Sequence, residues 1–444
     1  MRRIRGRFLM LYILYLLVIP VRAWGITLSL DEAVQRALNQ SLNLKKSSID
    51  LAEAGYSAKK LWSEIFPGIS LSVGMTFLPS TELFSGSGFR YRDEALSYSL
   101  NAGVSLALNT SSLSAMKRIE LAYKSQLLSY ENASRQLEIQ VIKNFLRLIT
   151  MRENIAYMRE TLQLAEQKLG QDRVARENGL LNELAWLNSM FSVETARYNL
   201  FEAQGGYQNA LGEFFALLGM DAVTDIDLEG TVGIAQMLFD PEELIMEYLP
   251  KRPDIISQRQ TIERLELSKK QNTLSSRSPT LNFSTQWRGG SPSPNAKGLG
   301  APFADSVSGS VTLNIPVDSW IPGTRQNQAL RAADAEVEKA KLDLQNTEVQ
   351  AKTQIRSFLS NLNNTWESLK IARLRVEIAK RTVETADEGF KKGTVEFNAL
   401  EEMRKDLNDA RQRLLQGEFS YQSLILDLAA ALNIEWKTLT RSLP

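Results

Sequence analysis

The sequence predicts a mixed α+β membrane protein built from two internal repeats. Each repeat supplies two strands to an oligomeric transmembrane β-barrel and a long antiparallel coiled-coil helix pair. Three observations predict it: four segments with apolar and polar residues in strict alternation, two long Pro-free stretches with an apolar residue at every seventh position, and a self-match between the halves of the chain.

The alternation is clearest in "ISLSVGMTF". Ile69, Leu71, Val73, Met75 and Phe77 fall on one side and Ser70, Ser72, Gly74 and Thr76 on the other. "YSLNAGVSLALN" follows the same rule, with Leu100, Val104, Leu106 and Leu108 against Ser99, Asn101, Gly103 and Ser105. In the second half Leu281, Phe283, Thr285 and Trp287 alternate with Asn282, Ser284, Gln286 and Arg288. Val307, Gly309, Val311, Leu313 and Ile315 alternate with small polar residues. The expected strands cover about 68–78, 97–109, 280–288 and 305–315. The segment 79–95, rich in Gly, Ser and aromatics, and the polar "GGSPSPNAKGLGAP" read as the loops between them.

The long helices are expected at about 110–178 and 324–392. Leu127, Val141, Leu148, Ile155, Leu162 and Leu169 recur at multiples of seven, with Ser134 the one polar member. Leu330, Val337, Leu344, Ala351 and Phe358 do the same, and after a four-residue step Leu362, Leu369, Val376, Val383 and Phe390 continue it. A heptad seam asks for a facing helix at coiled-coil geometry, and at 1.5 Å per residue each stretch is ~100 Å long. Shorter helices run back from the glycines to about Leu218 in one half, and on to about Ser278 after the mixed connection beginning "GMDAVTDIDLEG". The opening stretch from Leu30 to Ile65 reads as one helix, with Ser29 as its cap and Pro67 as its end.

The duplication sets the domains. A shift of 214 residues places Gly179 on Gly393, Ala196-Arg197 on Ala410-Arg411 and Tyr207-Gln208 on Tyr421-Gln422 without a gap. Pro67 falls on Pro279 at a shift of 212. The first repeat is therefore drawn at 24–235, with its tip near 179–185, and the second at 236–444, with its tip near 393–402. Residues 1–23 read as a signal peptide: a basic start with Arg2, Arg3, Arg5 and Arg7, the apolar run "FLMLYILYLLVIP" and a small-residue site ending at Ala23. An uncleaved anchor is the alternative.

Composition narrows the function. Cleavage after Ala23 leaves 47 basic against 51 acidic residues, which argues against nucleic acid as a partner. There is no Cys and no His, so no disulfide, no thiolate metal site and no imidazole general base. No phosphate-binding Gly loop or nucleophile elbow occurs, and Glu401 and Glu402 point about 100° apart on a helix, so they are not a paired acid/base site. No enzyme activity, cofactor or metal is expected.

With every helix committed to a narrow seam, no segment is left to cover the apolar strand faces. Lipid covers them in this reading, and Phe66, Phe77, Tyr98 and Trp287 sit near strand ends, where aromatic girdles lie. Four strands cannot close a barrel and open edges are not tolerated in lipid, so several copies must associate. The rival reading is an exported coiled-coil structural or adhesive protein without a pore.

The chain resembles the TolC-type outer-membrane channels, the exit ducts of tripartite efflux pumps and type I secretion systems. The resemblance rests on "LSLDEAVQRALNQSLNLKKSSIDLAEAGYSAKKLWSEIFPGISLSV", on "VTLNIPVDSWIPGTRQNQA" and on the Gly-centred turn of each repeat. It implies a homotrimer with one twelve-stranded barrel and a periplasmic α-helical tunnel, in the outer membrane of a diderm bacterium. It also implies a periplasmic adaptor and an inner-membrane transporter of the RND, ABC or MFS type as partners. Gly179 and Gly393 are the tip turns where adaptor hairpins dock in the family, and positive φ alone also explains them. Glu402, nine residues past Gly393, stands where an acid ring occurs in the family, with Glu396 and Glu183 as further candidate gate acids. For all three, an ordinary solvated helix position is the alternative. Val395 and Ala185 stand where the family's best-known members carry partners of a closing ion pair, so different locks, or a looser tip, are expected here.

Overall fold

A computed structural model of the chain describes residues 26–78, 81–85, 88–92, 95–220, 226–229, 235–290 and 304–441. The expected signal peptide and the loop 291–303 lie outside the described residues. The described strands are β1 (Ile26–Ser29), β2 (Gly68–Leu78), β3 (Thr81–Ser85), β4 (Gly88–Arg92), β5 (Ala95–Leu108), β6 (Ile226–Glu229), β7 (Thr280–Gly290) and β8 (Ala304–Asn314). The helices are α1 (Leu30–Gln40), α2 (Leu42–Lys59), α3 (Ser112–Glu177), α4 (Glu183–Leu218), α5 (Pro241–Tyr248), α6 (Pro253–Arg277), α7 (Arg325–Lys391), α8 (Phe397–Leu432) and α9 (Trp436–Arg441).

The chain divides into two compact units, and each draws on both repeats. One takes Met1–Lys46, Ala133–Ile245 and Gln354–Pro444, the other Ser47–Asn132 and Met246–Thr353. The duplication thus follows the chain, whereas the compact units cut across it, because α3 and α7 each contribute to both.

The strand-bearing unit holds a four-stranded antiparallel sheet in the order β2-β5-β7-β8. Its register lays Leu71, Ala102, Trp287 and Val307 in one row across all four strands. The adjacent row is Ser72, Asn101, Arg288 and Ser306. Pleat alternation therefore gives the sheet one apolar and one polar face. Pro67 and Pro279 stand just before β2 and β7. The Ser278 amide closes α6 on the Leu274 carbonyl at 2.8 Å, and a proline next disfavours any further turn. After β8 the chain is pinned by a buried polar knot. The Ser319 hydroxyl donates to the Ser276 carbonyl at 2.6 Å and Gln326 Nε2 donates to Ser276 Oγ at 2.6 Å, while Gly323 takes φ 86° to let α7 begin.

The helical unit is packed by the heptad residues. Val141, Leu148 and Ile155 on α3 are 0, 1 and 6 % exposed, and their counterparts 214 residues on, Ile355, Leu362 and Leu369 on α7, are 0, 2 and 1 % exposed. Val193, Leu211 and Phe214 on α4 are buried like Leu407, Ile425 and Leu428 on α8. Burial thus repeats at the interval read from the glycines. Ile139, Ile142, Leu146 and Leu426 form a core cluster against Leu30, Val34, Phe419 and Trp436.

Several expectations are corrected. The stretch from Leu30 to Ile65 is not one helix: Ser41, buried at the end of a polar Asn-Gln-Ser run, takes ψ 122° and separates α1 from α2, and Leu61–Ile65 is a 3-10 turn. The segment 79–95 is not a plain loop: β3 and β4 pair antiparallel from Thr81↔Arg92 to Ser85↔Gly88. Its Gly and Ser content concealed two short runs with alternating aromatics. The mixed connection holds β6, which pairs parallel with β1 and sets Leu28 beside Leu228, both buried. A non-local pair this short has no periodicity of its own to find. Pro250 and Pro253 likewise interrupt the second short helix, giving α5, the 3-10 turn Leu249–Lys251 and α6.

Candidate functional site

The sequence points to two places, the strands with their apolar and polar faces and the hairpin ends where the helices reverse. The strands form the four-stranded sheet. On its edge strands the apolar side chains are bare: Ile69, Leu71 and Val73 on β2 are 72–76 % exposed, and Val307 and Val311 on β8 are 74 and 68 % exposed. No layer of this chain covers them among the described residues. The polar face binds itself across strands. Arg288 Nε donates to Asn101 Oδ1 at 3.1 Å, and the hydroxyls of Ser284 and Ser310 lie 2.7 Å apart. Both β2 and β8 have only one strand neighbour among the described residues, so both sheet edges are open. Where the chain leaves the sheet, Trp62 and Phe66 pack edge to face at 5.3 Å, and Trp320 lies under the Arg277 guanidinium at 5.1 Å. All three rings are exposed.

The first hairpin end is built around Gly179 at φ 70°, whose amide bonds the Arg176 carbonyl at 2.9 Å while Leu180 N reaches Ala175 O at 2.8 Å. This is a Schellman-type stop, which wants glycine. Asn182 caps α4, its Oδ1 accepting from the Ala185 amide at 2.8 Å. Ala185 therefore serves the cap by its backbone. Glu183 does not stand free: Arg176 Nη2 holds it at 2.7 Å, and the same guanidinium lies 3.9 Å from the Trp186 ring centre.

The second end turns at Gly393, φ 74°, with the Thr394 amide on the Gly389 carbonyl at 2.9 Å. Val395 is half-buried against Gly389, where an added Cβ would meet its Cγ2 at 2.6 Å. Glu396 occupies the N-cap position of α8, exposed, with no cap bond from its side chain. Glu402 is exposed and lines a groove within the helical unit, together with Lys168 of α3, Ser192 of α4, and Asn398 and Lys405 of α8.

The ion pairs that tie the second end were not among the sequence candidates. Arg404 Nη2 reaches Asp387 Oδ1 at 3.2 Å and its Nη1 reaches Glu401 Oε1 at 3.1 Å, while Lys391 holds the other Asp387 oxygen at 2.6 Å. The hydrogen bond from Lys391, joined by its charge and that of Arg404, lowers the Asp387 carboxyl from its ordinary value. Burial raises Glu401, against the pull of Arg404 and Lys168. The first hairpin makes a matching cross-link, the Ser189 hydroxyl donating to Asp172. Both contacts join residues 17 apart around a tip glycine, and that shared spacing is the signal in the sequence that could have found them.

A helix also crosses from one repeat to the other. Asn408 Nδ2 donates to Thr161 Oγ1 at 3.3 Å, Gln412 Nε2 to Asn154 Oδ1 at 2.7 Å, and Arg411 reaches Glu160 at 3.3 Å, seating α8 on α3. Arg197, the counterpart of Arg411, instead pairs with Glu166 inside its own hairpin. Among the described residues no group of His, Cys, Asp and Glu is placed to hold a metal ion, and no helix is long and apolar enough to cross a membrane.

The family model described as outer membrane efflux protein matches residues 33–220 and 244–433, one stretch in each repeat. The chain belongs to the outer membrane efflux protein family. Its fold is shared with solved efflux-family channels at low identity. CusC, whose structures concern folding and transmembrane channel formation, aligns with TM-score 0.71 and 14 % identity over 93 % of this chain and 94 % of its own. The CmeC outer membrane channel of Campylobacter jejuni gives 0.71 and 16 % over 93 % and 88 %. The MtrE outer membrane channel of Neisseria gonorrhoeae gives 0.67 and 14 % over 91 % and 89 %. No protein with a curated description matches the sequence. As an efflux-family protein the chain resides in the outer membrane, which gives the bare face of the sheet its solvent and the helices a periplasmic setting.

Proposed function

We propose that this chain is the outer-membrane duct of a tripartite efflux pump or type I secretion system. In this reading three copies join β8 of one to β2 of the next, closing a twelve-stranded barrel that conducts cargo passively to the exterior. The observation that carries it is the sheet itself, with an apolar face that nothing in the chain covers among the described residues and two open edges. In lipid an open edge strands several unpaired backbone groups at a cost of several kcal/mol each, so closure by further copies is required. The helices form the periplasmic tunnel, an adaptor joins their Gly179 and Gly393 ends to an inner-membrane transporter, and the transporter selects the cargo.

The hairpin ends are the gate in this reading. Glu402 and Glu396 are the gate acids best suited to face the pore, because both are exposed and neither is ion-paired among the described residues, whereas Glu183 is engaged by Arg176. Three copies of Glu402 near one axis repel one another and favour cations.

The absence of cysteine makes the test direct. Ser293→Cys and, separately, Asn182→Cys are exposed on intact cells to a membrane-impermeant maleimide. Labelling of Ser293→Cys on whole cells, with Asn182→Cys labelled only after the outer membrane is opened, is the expected result. If neither labels until cells are opened, the chain is a periplasmic coiled coil and not a duct.

A further inference from the structure

Charge is almost absent from the sheet. β2, β5, β7 and β8 together carry two charged residues, Arg288 on β7 and Asp305 on β8. The register sets Arg288 opposite Ser306 and Gly289 opposite Asp305, so the two charges stand one row apart and the pleat turns them to opposite faces. Asp305 belongs to the apolar-face rows, where its Oδ2 accepts from Trp287 Nε1 at 3.3 Å. Arg288 belongs to the polar-face rows, where it is exposed and makes no ion pair among the described residues. On that face it is the one charged residue of the sheet among the described residues.

The surroundings of Arg288 leave its guanidinium open. Nε donates to Asn101 Oδ1 at 3.1 Å, which fixes one edge of the group, and neither Nη has a protein partner among the described residues. Its neighbours on that face include Ser306 in its own row and Ser99, Gly103 and Ser308 in the rows on either side, all small and uncharged. Two parallel N–H donors of a guanidinium match the paired oxygens of a carboxylate, phosphate or sulfate, and the charge that draws them is permanent. A single exposed arginine on a flat surface would select nothing. Repetition changes that, because a closed symmetric barrel sets one Arg288 from each copy at the same height around one axis. A water-filled lumen with low-dielectric walls concentrates the field of such a ring, and rings of Arg or Lys are a physical means by which pores favour anions. The ring falls two residues before the end of β7, on the side of the loop 291–303.

We propose that Arg288, one from each copy, forms a ring of cations on the lumen face of the barrel that binds anionic groups of the cargo, carboxylate, phosphate or sulfate, as they leave. This rests on the oligomeric barrel reading above and adds to it a selecting residue in the barrel wall. Asn101 is its positioning partner. The ring is opposite in sign to the candidate gate acids Glu396 and Glu402, so the duct holds two selecting elements of opposite charge.

The test uses the full-length chain in the outer membrane of intact cells. Ser306→Cys is reacted with an anionic and with a cationic methanethiosulfonate of similar size, in chains that keep Arg288 or carry Arg288→Gln or Arg288→Lys. The ratio of anionic to cationic rates is expected to fall roughly fivefold with Gln and to hold with Lys. Inorganic phosphate should slow the anionic reagent where Arg288 is kept and not where Gln replaces it. Val307→Cys, on the other face, is the control and should stay unreactive. Purified protein without added cysteines is then placed in planar bilayers under a KCl gradient. Arg288→Gln is expected to shift the reversal potential toward potassium, and Arg288→Lys to restore it. A rate ratio that Arg288→Gln leaves unchanged, with Val307→Cys unreactive, overturns the ring and leaves the duct reading standing. A ratio that responds while the reversal potential does not shows a lone surface cation and overturns the ring too. Val307→Cys reacting as fast as Ser306→Cys puts water on both faces of the sheet, which overturns the duct reading and the ring with it.

Discussion

Asp387 on α7 and Arg404 on α8 meet across the second hairpin at 3.2 Å, and the same guanidinium holds Glu401 at 3.1 Å. All three side chains are a third exposed or less, with Glu401 at 12 %, so the contact is shielded more than a surface ion pair. Removing the cation leaves a largely buried carboxylate without its hydrogen-bonded partner. Arg404→Ala is expected to loosen the hairpin end by about 1 to 2 kcal/mol. Amide hydrogen exchange at 387–404 should speed up accordingly. If this end also constricts the pore, single-channel conductance in planar bilayers rises with the same substitution, and an unchanged conductance places the constriction elsewhere.

The two carboxylates around Arg404 should titrate in opposite directions from their ordinary values. Glu401, raised by burial, takes its proton first as pH falls, while Asp387, lowered by Lys391 and Arg404, stays charged to lower pH. For Glu401 the folded value exceeds the unfolded one, so its contribution favours folding below the unfolded value and is lost as pH rises through the folded value. For Asp387 the contribution is present above the unfolded value and lost as pH falls through the folded one. Mild acidification therefore releases Arg404 from Glu401 before it releases Arg404 from Asp387. Carboxyl-carbon NMR titration resolves the two, and Glu401→Gln should abolish only the upper transition.

At the turns, Gly179 and Gly393 carry φ of 70° and 74°, and no heavy atom lies within 4 Å of a Cβ added at either place. The cost of Gly179→Ala or Gly393→Ala is then backbone strain alone, about 1 to 2 kcal/mol each. Asparagine at either place should cost less than alanine. Thermal unfolding in detergent ranks the four variants, and equal loss for Asn and Ala would show that φ is not what glycine supplies.

Tyr421 is fully buried, accepting from the Met237 amide at 3.1 Å and donating to the Ala235 carbonyl at 3.0 Å. Tyr421→Phe leaves both backbone groups short of a partner and is expected to cost about 1 to 3 kcal/mol. Protease sensitivity of the connection around 235–240 should rise with it, and unchanged sensitivity would mean that another contact pins the segment.

On the sheet, neighbouring residues should respond oppositely to the same change. Leu71→Arg puts a cation on the lipid face, at about 2 to 4 kcal/mol near the bilayer centre. Ser72→Arg adds one to the polar face beside Asn101 and should be tolerated. The yield of heat-modifiable protein in the outer-membrane fraction separates them, and equal loss would argue against a lipid-facing surface.

Period and punctuation carry everything legible in the chain before it folds. Period two at Ile69 to Phe77 and period seven at Val141 to Ile155 are set by strand and helix geometry acting on neighbours along the chain, so they are visible without coordinates. The same holds for Gly179 and Gly393, whose conformation few other residues accept, and for the duplication they anchor. Whatever depends on residues distant in sequence waits for the folded chain. Ser41 could have continued a helix, and β1 could not be a strand until β6 was beside it. Glu183 and Glu402 look alike as letters, but Arg176 occupies one and a groove shared by α3, α4 and α8 receives the other. Arg197 and Arg411 are copies of one position, yet one closes a hairpin and the other joins two repeats. Local geometry repeats when a sequence is duplicated, but the neighbours that give a side chain its role do not.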